Sequence, residues 1–295
     1  MQLSNLYWLS ILCVLLGTKV SVLAQPYFLP GEDPRPKDQH WVPVEQLSDD
    51  FEGKKLDSSK WSADPTANGW GWIGRAPGLF REENVQLKKG NMRVTVGVLD
   101  QPEEHKGKTY TYQGAIVRAV NPGQVGWYYE CKMKANQTAM SSTFWLMSRY
   151  DCERKLELDI QECVGQTSEH TAKWAQNWDQ IYHSNAIHRT TPCVPEKLQL
   201  QQSIPTDTKN HERYYVYAAW WKSPEEIQFF LDGKYIYSIH PKVKWDQPAF
   251  LHMAIETYDW NPVPPDGGLV ASGSKKQRST QYEWVRTWQL IDNPQ

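Results

Sequence analysis

Three acids crowd one short stretch of the chain, Lys155-Leu156-Glu157-Leu158-Asp159-Ile160-Gln161-Glu162. Successive side chains of a strand point to opposite faces. Leu156, Leu158 and Ile160 therefore enter a core, while Glu157 and Asp159 stand side by side on the other face. On a bland surface strand such neighbours repel each other. A site that needs carboxylates in different protonation states tolerates them. Their chemistry would be that of a glycosidic bond, one carboxylate attacking the sugar and one carboxylic acid protonating the departing oxygen. Strict alternation would put Glu162 on the core side, a costly place for a charge. One residue looped out of the ladder returns it to the polar face, so the spacing predicts a β-bulge at Ile160-Gln161. Four pleat steps separate the outer Cα atoms by about 13 Å. Retaining hydrolysis brings its two carboxyl groups to roughly 5 Å, so long Glu side chains on a concave sheet have to close the difference.

The rest of the chain reads as the sheets that would hold such a strand. Turn signals recur at Glu52-Gly53, Asn68-Gly69, Lys89-Gly90-Asn91, Pro122-Gly123, Asp232-Gly233 and Asp266-Gly267-Gly268. Between them lie short alternating or apolar runs, among them Met92–Val96, Gly126–Met133 and Glu226–Leu231. Many short strands with regular turns indicate an all-β sandwich or barrel. Thr167–Ile181 fits a short helix or a long loop. Leu6–Gly17 is an apolar run too short to span a bilayer, and Ser21-Val22-Leu23-Ala24 follows it with small residues. Residues 1–24 are thus expected to be a signal peptide and 25–295 a single catalytic domain, with 25–46 an irregular leader over its surface. The product would be secreted or periplasmic and monomeric.

Composition narrows the partners. The chain has a formal charge of −2, and losing Lys19 with the expected signal peptide makes it −3. That balance argues against a nucleic acid or an anionic membrane. Tryptophan is in excess, 15 in all with only Trp8 in the expected signal peptide. Trp220, Trp221, Trp284 and Trp288 lie in apolar strands and belong in a core, which leaves others for a groove where rings stack on sugars. Cys131, Cys152, Cys163 and Cys193 allow three pairings, with buried free thiols as the alternative. No C-x-x-C pair occurs, so zinc is not expected.

The E-x-D-x-x-E stretch resembles the bulged signature of glycoside hydrolase family 16. Asp49-Asp50-Phe51-Glu52-Gly53 with Trp61 is similar to that family's opening strand, and Ser141–Leu146 to the strand before its signature. Trp221 with Ile227–Gly233, and Tyr282–Trp288, resemble later segments. The resemblance implies a β-jelly-roll sandwich (concanavalin A-like) with a substrate cleft on its concave sheet. It implies Glu157 as nucleophile, Glu162 as general acid and then base, and Asp159 hydrogen-bonded to a catalytic carboxyl. Glu162 would hold the proton before the first step while Glu157 is ionised. The competing class is a non-catalytic jelly-roll carbohydrate-binding protein, which keeps the aromatics but has no need of three acids.

Flanking segments point to a substrate. Trp70–Phe80 resembles the G-R-x-P-G-x-F segment of agar-degrading members, Asn185–His188 their N-x-x-H strand, and Glu256–Trp260 their late acidic loop. The substrate-binding set so implied is Trp70, Trp72, Arg75, Trp145, Asn185, His188, Glu256 and Trp260. Several have plainer readings: Trp145 and His188 as core, and Arg75 as a structural ion pair. The substrate would be a red-algal galactan, cut at its β-1,4 bonds. Sulfated porphyran differs from neutral agarose by a 6-sulfate, which wants Arg; Arg75, Arg81, Arg149 and Arg154 are available. The Trp260–Pro264 loop resembles porphyranases more than agarases, so a β-porphyranase is the leading expectation and a β-agarase the alternative. No cofactor is required. The family allows a structural calcium, for which Gly90 and Glu283 are plausible ligands, and no metal is assigned.

Overall fold

The alternating runs become strands. A computed structural model describes residues 25–294, and the expected signal peptide at 1–24 lies outside them. In chain order the strands are β1 (Gln39–Pro43), β2 (Trp61–Ser62), β3 (Gly78–Phe80), β4 (Val85–Leu87), β5 (Met92–Thr95), β6 (Gly97–His105), β7 (Lys108–Ala119), β8 (Tyr128–Lys134), β9 (Ser141–Ser148), β10 (Leu156–Val164), β11 (Ile181–His188), β12 (Leu198–Pro205), β13 (Tyr215–Ser223), β14 (Glu226–Leu231), β15 (Lys234–Ile239), β16 (Ala249–Ile255) and β17 (Ser279–Asp292). One sheet runs β15-β14-β13-β8-β17-β5-β4, with β1 on β17. The other runs β12-β11-β10-β9-β16-β7-β2, with β3 and β6 on β7. The fold is an all-β jelly-roll sandwich. Leu146, Leu158 and Met253 of one sheet meet Tyr217, Phe229 and Val285 of the other in a single buried cluster, and removal of that apolar surface from water drives the packing.

Four tryptophans expected in a core are all buried, but in different places. Only Trp221 sits between the sheets. Trp220 and Trp288 lie in a second cluster with Tyr128 and Phe230, covered by Phe28 and by Trp41 of β1, so the expected irregular leader is in part a strand paired with β17. Trp284 is buried beside Arg286, whose guanidinium lies 4.1 Å from its ring centroid. The stretch 167–180 is a long loop with one 3-10 turn at Lys173–Ala175, and Ile181 opens β11. Cys152 pairs with Cys193, and Cys131 and Cys163 are buried thiols.

The ladder between β9 and β10 slips at one point. Asp159 faces Trp145 and Gln161 faces Phe144, which leaves Ile160 extra. The bulge falls where the acid spacing predicts it. Ile160 stays in the core, and Gln161 fills the gap with its amide. Its Nε2 donates to the Ile181 carbonyl at 3.0 Å, and its Oε1 accepts from the His183 backbone at 3.1 Å. Beyond the bulge, Glu162 pairs with Thr143 on the outer face.

Candidate active site

Strand register assembles the site. Asn185, Asp159, Trp145, His252 and Arg118 are successive partners across β11, β10, β9, β16 and β7. Directly opposed residues share a face, so these five form a row across the sheet. They underlie a cleft of about 700 Å³, within the usual range for ligand sites. Trp70, Trp72, Arg75, Trp145, Glu157, Asp159, Glu162 and Glu256 all line it.

Tryptophans make one end. Trp145 stacks on His252 with centroids 4.2 Å apart and planes 22° apart. Trp72 meets Trp145 edge-on at 6.1 Å, and Trp70 meets His252 edge-on at 5.0 Å. Trp145 is therefore both core and cleft: it packs on Phe80, Ile116 and Met147 while facing the opening. Arg149 lies over the Trp70 ring at 3.9 Å and lines the cleft with Lys108 and Lys155.

Backbone geometry carries Arg75. Gly74 has φ +124°, and a Cβ there would meet the Gly78 carbonyl oxygen at 2.3 Å. Only glycine allows that close turn. The Arg75 carbonyl accepts from Thr257 Oγ1 at 2.5 Å, and its Nε donates to Glu256 Oε2 at 2.8 Å. Burial, joined by the charges of Glu162 and Glu157, pushes Glu256 up to about 7 against the pull of Arg75.

Each carboxylate of the signature has its own surroundings. Arg189 grips Glu157 with both arms, Nε to Oε2 at 2.8 Å and Nη2 to Oε1 at 2.5 Å. Asn185 Nδ2 donates to Asp159 Oδ2 at 3.1 Å and to Glu162 Oε2 at 3.2 Å. Gln199 Nε2 holds the Asn185 oxygen at 2.7 Å, which fixes the amide's orientation. Burial and the flanking charges of Glu157 and Glu162 raise Asp159 well above its ordinary value. Burial pushes Glu162 up as well. The hydrogen bond and charge of His183, 3.5 Å away, and the Tyr258 hydroxyl at 2.6 Å more than offset this and leave Glu162 below its ordinary value. The two shifts run in opposite directions, so the surroundings favour a proton on Asp159 over one on Glu162, whereas the acid role implied for Glu162 needs it there. The link between the two runs through the Asn185 amide.

Three expected substrate-binding residues are not in the cleft lining: Asn185 is buried beneath the carboxylates it holds, and two others sit elsewhere. His188 lies on the core face, paired with Leu156, and its Nε2 contacts the Glu153 carbonyl at 3.0 Å. It stands three residues from Asn185, and an odd spacing on a regular strand cannot share a face. Trp260 is outside the cleft lining, stacked behind Tyr258 at 4.7 Å and 19°. Of the arginines considered for sulfate, Arg75 and Arg149 reach the cleft, whereas Arg81 pairs with Glu103 and Arg154 with Asp246 outside it. Glu283 is paired with Lys132 at 2.9 Å, an arrangement that does not favour a cation.

Sequence reasoning missed Arg189, His183, Tyr258 and Gln199 as site residues. Alternation could have found His183, two residues before Asn185 and so on its face.

A sheet face with a tryptophan-lined cleft and a row of tuned carboxylates is the build of a carbohydrate-active jelly roll. Residues 41–290 match the model for the glycoside hydrolase family 16 domain of β-porphyranases A–D, and the chain belongs to that family. It is 46% identical to β-porphyranase B of Zobellia galactanivorans over 99% of both chains. The crystal structure of porphyranase B from that organism superposes with a TM-score of 0.84 at 48% identity, covering 90% of this chain and 99% of the other. β-Agarase A from Zobellia galactanivorans shares the fold alone, with a TM-score of 0.71 at 18% identity over 88% and 95% of the two chains.

Proposed function

We propose that the chain is a secreted, retaining endo-β-porphyranase that cuts β-1,4-galactosidic bonds in sulfated red-algal galactan. The observation that carries the substrate is Arg149. It lies over the Trp70 ring in the cleft, and among the described residues it pairs with no carboxylate. A sugar stacked beside Trp70 would present a sulfate to a guanidinium already in place. Arg149 Nη2 donates to the Asn68 carbonyl at 2.5 Å and its guanidinium lies 4.9 Å from the Phe250 ring centroid, which holds it at that position. Likeness to β-porphyranase B at 46% identity supports the same reading.

In the reaction, Glu157 attacks the anomeric carbon and forms a glycosyl ester as the bond to the leaving chain breaks. Arg189 orients that carboxylate through its two parallel hydrogen bonds. Glu162 protonates the departing oxygen. A sugar in the cleft excludes water and raises the cost of an ionised Glu162, so the cluster's proton shifts to it from Asp159. Glu162 then removes a proton from water, which attacks the same carbon and frees Glu157. Export fits the Cys152–Cys193 disulfide, since such bonds persist in oxidising compartments. Among the described residues no helix is long and apolar enough to cross a membrane.

The test is digestion of porphyran beside chemically desulfated porphyran and agarose. Wild type should favour the sulfated polymer, and Arg149→Gln should lose about ten- to a hundredfold in kcat/KM on it while changing little on the neutral ones. Equal losses on all three would refute a sulfate contact at Arg149.

A further inference from the structure

The aromatic surface does not stop at the carboxylates. Past Glu162 a second group begins, built from the Glu256–Trp260 segment and from the loop after β10, which no motif singled out. Tyr258, bonded to Glu162, stacks on Trp260, and Trp260 touches Trp174 at 5.1 Å between centroids. Trp178 closes the group, 5.7 Å from Trp174, 4.8 Å from Trp260 and 4.3 Å from the His183 ring that faces Glu162. Trp178 is 7% exposed, but Trp174 at the outer end is 62% exposed. Single exposed apolar side chains are common, but this one continues a packed aromatic cluster that reaches the cleft.

Hydrogen bonds tie down the loop that carries it. Ala172 N donates to the Trp260 carbonyl at 2.8 Å and Thr171 Oγ1 to Asn261 Oδ1 at 2.5 Å. Gln176 Nε2 donates to the Thr171 carbonyl at 2.7 Å, and Val164 N to that of Trp178 at 3.0 Å. The loop is thus bound both to the end of β10 and to the segment after β16. The backbone that carries the exposed Trp174 ring is thereby tied down on both sides.

We infer that Trp174 forms a further sugar-binding subsite on the leaving-group side of the cleaved bond, where its ring stacks on a galactan unit beyond those in the cleft. The side follows from Glu162, which serves the departing oxygen, and the occupant from continuity with the cleft through Tyr258 and Trp260. This rests on the function proposed above and adds a second aromatic platform opposite the Trp70 and Trp72 end. A chain gripped at both ends is held across the carboxylates, so the subsite makes the enzyme sensitive to substrate length.

The experiment compares wild type with Trp174→Ala and Trp174→Phe on size-fractionated porphyran oligosaccharides. An activated aryl glycoside, which carries no sugar on the leaving side, is the control. The Ala variant should lose about tenfold in kcat/KM on long oligosaccharides, the scale of one aromatic contact, and nothing on the aryl glycoside. The Phe variant should recover most of the loss, and the Ala variant's early products should differ in length. An equal loss on both substrate types, or none on the long ones, overturns the subsite while leaving the enzyme's function standing. A wild type that leaves every galactan intact removes the function itself, and the subsite with it.

Discussion

Glu157 and Glu162 differ in what holds them, and that difference sets how each should fail. Glu157 is gripped by Arg189 alone, whereas Glu162 shares Asn185, His183 and Tyr258. Glu157→Ala should lower kcat by at least about 10⁴-fold. Azide or formate should restore turnover of an activated substrate, with inverted product, because the anion occupies the nucleophile's side of the ring. Glu162→Ala should keep activity on substrates whose leaving group needs no proton and lose about 10²- to 10⁴-fold on the polymer. Azide should then give a retained product. Swapped anomers in the two variants would exchange the roles. These two residues were legible as candidates because three acids share one strand, and their roles came from the resemblance to glycoside hydrolase family 16. Their partners were not, since Arg189 and Tyr258 come from other segments and only strand register and loop path bring them near.

Among the elements, the bulge in β10 has the clearest consequence. It was legible because alternation fails between Asp159 and Glu162, and a buried charge is the costly alternative. What the spacing did not reveal is the role of Gln161, whose amide meets the Ile181 carbonyl and the His183 backbone where the ladder opens. Gln161→Ala should strip the His183 backbone N–H of its side-chain partner, while the Ile181 carbonyl keeps Asn210 Nδ2 at 2.9 Å, and should cost about 1–3 kcal/mol in urea unfolding. Because His183 faces Glu162, kcat should fall more than KM rises; unchanged stability and kcat would mean the bulge holds its shape unaided. The row from Asn185 to Arg118 was illegible for a different reason. It needs the register of five strands, and one residue of slip would replace every member. Chain spacing was equally silent on the cysteines, where three pairings were open and the fold chose only Cys152 with Cys193.

At the scale of the whole molecule, stability should carry a pH signature from a group far from the cleft. Glu130 is fully buried between Trp288 Nε1 at 2.8 Å and the Tyr27 backbone at 3.0 Å. Burial pushes it up to about 7 against those hydrogen bonds. Unfolded, it titrates near 4.5. Between these values the folded protein keeps a proton that the unfolded chain has released. Its contribution is therefore complete below about 4.5 and is lost as pH rises through 7, by roughly 3 kcal/mol. Glu256 titrates in the same window with the same sign, so the comparison must be with a variant. Glu130→Gln should show a fall in unfolding free energy from pH 5 to 8 that is smaller by roughly that amount; parallel curves would deny the shift. The central claim, a retaining enzyme acting on porphyran through Glu157, is tested most directly by NMR of the first-formed anomer during wild-type digestion of porphyran. The β-anomer should appear first and mutarotate to the α. An α-anomer appearing first would contradict the double displacement and the assignment of Glu157 as nucleophile.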